Sequence, residues 1–198
     1  MKINGAPVYW DGEVISYHGE MTSCADGSPR CYGPDGCNPP PLDYLGNAGS
    51  YESGWWGIVT DNNGTPIFQQ KGNREKHPYP GLYISCTAYK HAEYPKQDCR
   101  AWVNAEKVKF SVIPSSVRMA VPPKFLGCRA TITDQKAHKT IECVCAEIGP
   151  GSHLGEASMA ACEALGINPD PKSGGSCDKK RFLYKFWPGH PAPGWELI

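Results

Sequence analysis

A glycine or proline falls at about every fifth residue of this 198-residue chain, 22 of one and 19 of the other. Together they exceed the usual ~12% share of these two residues. A backbone broken this often cannot sustain long helices, so short strands joined by turns are what remains. The strand signals agree. APVYW-DG-EVISY, residues 6–17, places two β-rich runs around Asp11-Gly12, a hairpin pattern. WWGIVT-DNNG-TPIFQQ (55–70) reads as a second hairpin, and CRATITDQKAHKTIECVCAEI (128–148) as a long one turning at 135–138. Further runs stand at 81–89, 101–114 and 181–187, while residues 20–50 have little periodicity. Only GEASMAACEALG, 155–166, has helical character, with good helix formers ended by Gly166. The expected fold is mainly β: a single β-barrel domain over residues 1–198, with one short helix and long loops.

Ten cysteines, at 24, 31, 37, 86, 99, 128, 143, 145, 162 and 177, form an even and scattered set. That pattern predicts disulfide-rich loops and an oxidising compartment; the rival reading is a set of reduced, buried thiols. No CxxC pair or tight Cys/His box resembles a structural zinc site. DGSPRCYGPDG lacks the alternating ligands and terminal Glu of a calcium loop, so no metal and no cofactor are expected. The opening MKINGAPVYWDGE has no apolar core of a signal peptide, and nothing approaches the ~18 apolar residues of a membrane span. The expectation is a protein secreted, or acting in a periplasm, by a route such as phage release or a dedicated apparatus. Twenty basic residues balance twenty acidic ones, which gives no reason to expect a nucleic-acid or membrane partner.

AEIGPGSHLGEAS, 146–158, sets Glu147 and Glu156 at the two ends of a Gly-Pro-Gly loop. Glu147 shares strand parity with Ile141, Cys143 and Cys145, so it falls on the apolar face unless a bulge shifts the register. A buried carboxyl there would hold its proton. Glu156, read at the first turn of a helix, would stay ionised beside the positive end of the helix dipole. Two carboxyl groups pushed apart in this way make an acid/base pair of the glycosidase kind. The plainer reading is two solvated surface groups. His153, between them, either orients one glutamate or is solvated. Trp55 and Trp56 are stacking candidates for sugar rings, and strand alternation allows one of them at most.

AEIGP…LGEAS, LYISCTAY, WVNAEKVKFSVIP, LGCRATIT and EALGI occur here in one order. The series resembles glycoside hydrolase family 75, the fungal-type chitosanases. ADGSPRCYGPDG, LDYLGNAG and WWGIVTDNNGTPI resemble its bacterial and phage branch, and the likeness covers roughly residues 25–175. The resemblance implies a β-barrel, with the double-psi barrel as one form of it. It implies inverting endo-hydrolysis of a β-1,4-linked glucosamine polymer, with Glu147 and Glu156 as the catalytic carboxylates. The family pattern has Asp where this chain has Glu147, whose extra methylene lengthens its reach. Asp26 and Asp43 match acidic positions of the resembling segments and suit the ammonium groups of glucosamine; turn chemistry is their other reading. Tyr32, Trp55, Tyr89 and Asn104 join them as groove candidates. The expected partner is a polysaccharide, either chitosan or the glycan strand of peptidoglycan. The second substrate would make the protein a lysozyme-like endolysin or toxin, accompanied by a delivery or immunity partner. A non-catalytic carbohydrate-binding module is a third reading, kept open by the exchange of Asp for Glu.

Overall fold

A computed structural model describes residues 2–3, 6–119, 124–151 and 153–198. In chain order the strands are β1 (Lys2–Ile3), β2 (Ala6–Trp10), β3 (Ile15–Gly19), β4 (Thr22–Cys24), β5 (Gly49–Ser50) and β6 (Gly54–Trp55), followed by β7 (Phe110–Pro114), β8 (Cys128–Asp134), β9 (Lys139–Gly149), β10 (Glu156–Ser158) and β11 (Phe182–Pro191). The helices are α1 (Ser115–Met119) and α2 (Met159–Leu165). The chain packs as two compact units, Met1–Cys24 with Lys107–Ile198, and the intervening Ala25–Glu106.

The first unit is one sheet in the order β1-β2-β3-β11-β8-β9-β7-β10-β4, curled into a half-barrel. The fold is mainly β, and α2 is the only helix of seven residues or more among the described ones. Most pairings are antiparallel, but β7 runs parallel to β9, and β10 runs parallel to β4. The apolar positions of β3 and β11 alternate with half-buried ones, so each strand gives one face to the core. Tyr17, Ile113, Ala130, Ile132, Cys143, Cys145, Ala157, Phe182, Tyr184 and Phe186 meet Ala161, Cys162 and Leu165 of α2 there. The Tyr17 and Tyr184 rings stack at 5.3 Å, and removing either ring would open a cavity worth about 3–5 kcal/mol.

Turn chemistry explains where the strands end. The first hairpin turns over four residues rather than two, because Asp11 Oδ1 accepts from the Glu13 and Val14 amides at 2.9 and 2.7 Å. The long hairpin turns at 135–138 as the sequence predicts, with His138 at φ 51°. The expected helix over 155–166 keeps its end but not its start. Gly166 closes α2 in the left-handed region at φ 76°, and Ser158 caps the first turn by accepting from the Ala161 amide. Residues Glu156–Ser158 pair instead with Thr22–Cys24, and Ala157 with Ser111, as a strand.

In the second unit the expected 55–70 hairpin survives as one β-bridge, Thr60 with Pro66, and Ile58 bridges outward to Ser85 of the 81–89 run. The hairpin turns on Asp61 Oδ1, which accepts from Asn63 and Thr65. Val59, Ile84 and Cys99 form a small core of this unit. No two of the ten cysteines stand at disulfide distance. Cys143, Cys145 and Cys162 pack as small apolar side chains in the main core. Burial pushes the Cys143 thiol up to about 12 and the Cys162 thiol up to about 11, which keeps both protonated and unreactive.

One ion pair, between a buried carboxylate and the half-buried residue just ahead of β11, ties that strand to the long hairpin. Asp134 accepts from Arg181 Nε and Nη2 at 3.0 and 2.6 Å and from the Lys136 and Ala137 amides. The Arg181 guanidinium holds the Asp134 carboxyl below the usual carboxylate range. A depressed folded pKa contributes stability above the unfolded value, ~3.9, and loses it as the pH falls through the folded one. Arg181→Ala is therefore expected to cost about 3 kcal/mol near neutrality. Urea melts at pH 7 and pH 2.5 test this, since the deficit must shrink in acid.

Candidate functional site

β9 approaches its end through an irregularity. Against β7 its register runs Ser111↔Cys145 and then Val112↔Glu147, so Ala146 is the extra residue of a bulge. Without it Glu147 would follow Cys143 and Cys145 onto the core face, as strand parity predicts. With it, Cys145 and Ala146 are both fully buried, and Glu147 passes to the opposite face and is half-buried. Glu147 thus lies off the face of Cys143 and Cys145, beside buried Val112. Its Oε1 accepts from the Ile148 amide at 2.7 Å.

Glu156 is corrected in the same way. It opens β10, three residues ahead of α2, so the helix dipole does not act on it as a first-turn residue. In β10 it pairs with Thr22 on one side, while Ala157 pairs with Ser111 on the other. The antiparallel register then sets Glu156 opposite Val112. Glu147, Val112, Glu156 and Thr22 therefore form one row across β9, β7, β10 and β4, on the face away from the aromatic core.

The two glutamates flank a single strand, so their backbones lie roughly 10 Å apart, twice the spacing between strands. Gly149, two residues beyond Glu147 and on its face, reports the lean of the second carboxylate. A Cβ at Gly149 would stand 2.9 Å from Val112 Cγ1 and 3.1 Å from Glu156 Oε2. Glu156 thus extends over Val112 toward β9. Inverting glycosidases separate their carboxyls by ~6.5–9.5 Å, which admits a water beside the sugar. Burial raises the Tyr17 and Tyr184 phenols well above their usual range, and the negative charge of Glu156 adds to both shifts. Both rings remain neutral beneath the site.

His153 is not simply solvated. Its Nε2 lies 2.9 Å from Thr22 Oγ1 and its Nδ1 3.4 Å from Glu20 Oε1. Glu20 and Thr22 were not visible as site residues in the sequence, since neither sits in a recognisable pattern and their pairing with residue 153 spans over a hundred positions.

The other sequence candidates all belong to the second unit. Asp26 Oδ1 accepts from the Tyr32 hydroxyl at 2.7 Å, and the Asp43 amide donates to the Cys31 carbonyl, which gathers Asp26, Tyr32 and Asp43. Asp43 accepts from Asn47 Nδ2 and from the Tyr44 amide. Tyr32 and Tyr89 are buried, and the Tyr89 ring meets His91 edge-on at 5.3 Å. Asn104 accepts from the Glu106 amide. Trp55, half-buried, meets the Tyr51 ring at 5.3 Å; Trp56 is the open member of the pair. Tyr44, Tyr51 and Trp56 are 61%, 73% and 61% exposed; the aromatic density of 44–56 signals them, though no spacing rule singles them out. Among the described residues, no group of three or more His, Cys, Asp or Glu is placed to hold a metal, and no helix is long and apolar enough to cross a membrane.

No family model matches the chain, and no curated protein matches it.

Deleting Ala146 would remove the bulge and turn Glu147 toward Cys143 and Cys145. A carboxylate on that face costs several kcal/mol. The deletion variant is therefore expected to lose about 3 kcal/mol or more in a denaturant melt, against about 1 or less for Glu147→Gln. Equal melts for the two variants would contradict the assigned faces.

Proposed function

We propose that the protein is an endo-acting, inverting glycoside hydrolase of the family 75 type, cleaving a β-1,4-linked aminosugar polymer such as chitosan. The observation that carries this reading is the placement of Glu147 and Glu156 on either side of Val112, on one face of the sheet. The ordered series of motifs that resembles the family supports it. One carboxylic acid donates a proton to the leaving glycosidic oxygen. The other carboxylate takes a proton from a water that attacks C1 from the opposite side of the ring. The proton lost by the water and the one gained by the leaving hydroxyl balance, and each carboxyl ends in its partner's starting state until solvent resets them.

Glu147 reaches further than the aspartate of the family pattern. The ammonium groups of glucosamine call for anionic partners, the role that the family resemblance implies for Asp26 and Asp43. An N-acetylated glycan carries no such charge, so a preference for peptidoglycan would assign this chemistry to a lysozyme-like role. Action outside the cytoplasm, by secretion or in a periplasm, belongs with the same proposal, because both polymers are found there.

The test is release of soluble oligosaccharides from chitosan and, in parallel, from purified peptidoglycan. Glu147→Gln and Glu156→Gln are each expected to lower kcat on chitosan by about 10²–10⁴-fold with an unchanged fold by circular dichroism. Release from peptidoglycan alone would move the activity to the wall glycan. Full activity of both variants, or silence of the wild type on both polymers, would overturn the hydrolase reading. In the second case, retention on a chitosan column would favour a binding module.

A further inference from the structure

The loop between the two glutamates is fastened to the corner joining β3 and β4 by several contacts of different kinds. The Glu20 amide donates to the Leu154 carbonyl at 3.2 Å, and the Thr22 amide donates to the Gly155 carbonyl at 2.9 Å. The two backbones touch so closely that only glycine fits on either side. A Cβ on Gly19 would lie 2.4 Å from the Leu154 carbonyl oxygen, and one on Gly155, at φ 117°, would lie 2.0 Å from that of Glu20. His153 closes the seam with side-chain atoms by spanning Glu20 and Thr22. Thr22 in turn is the strand partner of Glu156.

We propose that His153 is a positioning residue for Glu156: bridged between Glu20 and Thr22, it seats the loop so that Glu156 enters β10 level with Val112 and Glu147. The inference rests on the hydrolase reading for its consequence in rate, but its structural half stands apart from that reading. Nε2 shares a hydrogen bond with the Thr22 hydroxyl, and Nδ1 faces the Glu20 carboxylate at 3.4 Å. His18 of β3 and Lys179 line the same cleft as the ring.

A misplacement of about 1 Å at a reacting group can cost 10²-fold in rate. Four variants, His153→Ala, Thr22→Val, Thr22→Ser and Glu156→Gln, are compared with wild type in chitosan turnover over about pH 4.5–8, and in amide hydrogen exchange at Glu20 and Thr22. His153→Ala and Thr22→Val are expected to lower kcat at least about tenfold with KM within about twofold, while Thr22→Ser, which keeps the hydroxyl, stays near wild type. Exchange at the two amides, taken relative to the intrinsic rate at each pH, should speed up about tenfold in His153→Ala. If Glu156→Gln is inactive while His153→Ala keeps the wild-type rate and pH profile, the positioning role is overturned and the hydrolase reading stands. If wild type turns over no glycan, the hydrolase reading fails, and unchanged exchange in His153→Ala would overturn the seam as well.

Discussion

The site turns on one inserted residue. Strand β9 is bound on one side to β8 in perfect alternation from Asp134↔Lys139 to Arg129↔Val144, and on the other side to β7 with a slip at Ala146. Up to Cys145 the strand obeys the core, which claims Ile141, Cys143 and Cys145. Beyond Ala146 the parity reverses, and Glu147 and Gly149 take the face that the core does not use. A strand in strict alternation would have had to choose between burying Glu147 and exposing Cys143 and Cys145. The bulge removes the conflict at the cost of one unpaired position in the ladder.

The consequences spread along β7, which has a parallel neighbour in β9 and an antiparallel one in β10. Residues from distant parts of the chain become a single row only because two registers agree at Val112 and a third, of β10 with β4, carries the row on to Thr22. Gly149 matters for the same reason, since its missing side chain is the space into which Glu156 leans. The other glycines of the loop, Gly155 and its counterpart Gly19 on β3, let two backbones come into direct contact. Geometry, rather than any single strong interaction, holds the pair.

Much of this was legible in the chain. The frequency of Gly and Pro gives the β class, Gly166 gives the end of α2, and the 135–138 turn emerges from flanking runs of alternating Thr and Ile. Two local readings at the site were not, and each failed for a definite reason. The parity of Glu147 could not reveal the bulge, because Cys-Ala-Glu reads equally well with Ala146 in or out of register. The helical composition of 155–158 was overruled by pairing with Thr22–Cys24, a partner some 130 residues away, which intrinsic propensity does not register. The core-face argument for Glu147 and the helix-dipole argument for Glu156 fell with them. The cysteines illustrate the opposite error. Their even, scattered spacing suggests staples, yet Cys143, Cys145 and Cys162 serve as core side chains. The candidate sugar-binding residues lie in the Ala25–Glu106 unit, where Tyr32 and Tyr89 are buried and the exposed aromatics are Tyr44, Tyr51 and Trp56.

The central claim is that Glu147 and Glu156 act as an acid and a base across a gap wide enough for water. The anomeric configuration of the first products, followed by proton NMR during hydrolysis of chitosan, tests it most directly. A single displacement by water predicts that α-configured reducing ends appear first and mutarotate afterwards. Initial β-configured ends would mean a covalent intermediate, which would contradict the acid and base roles assigned to Glu147 and Glu156.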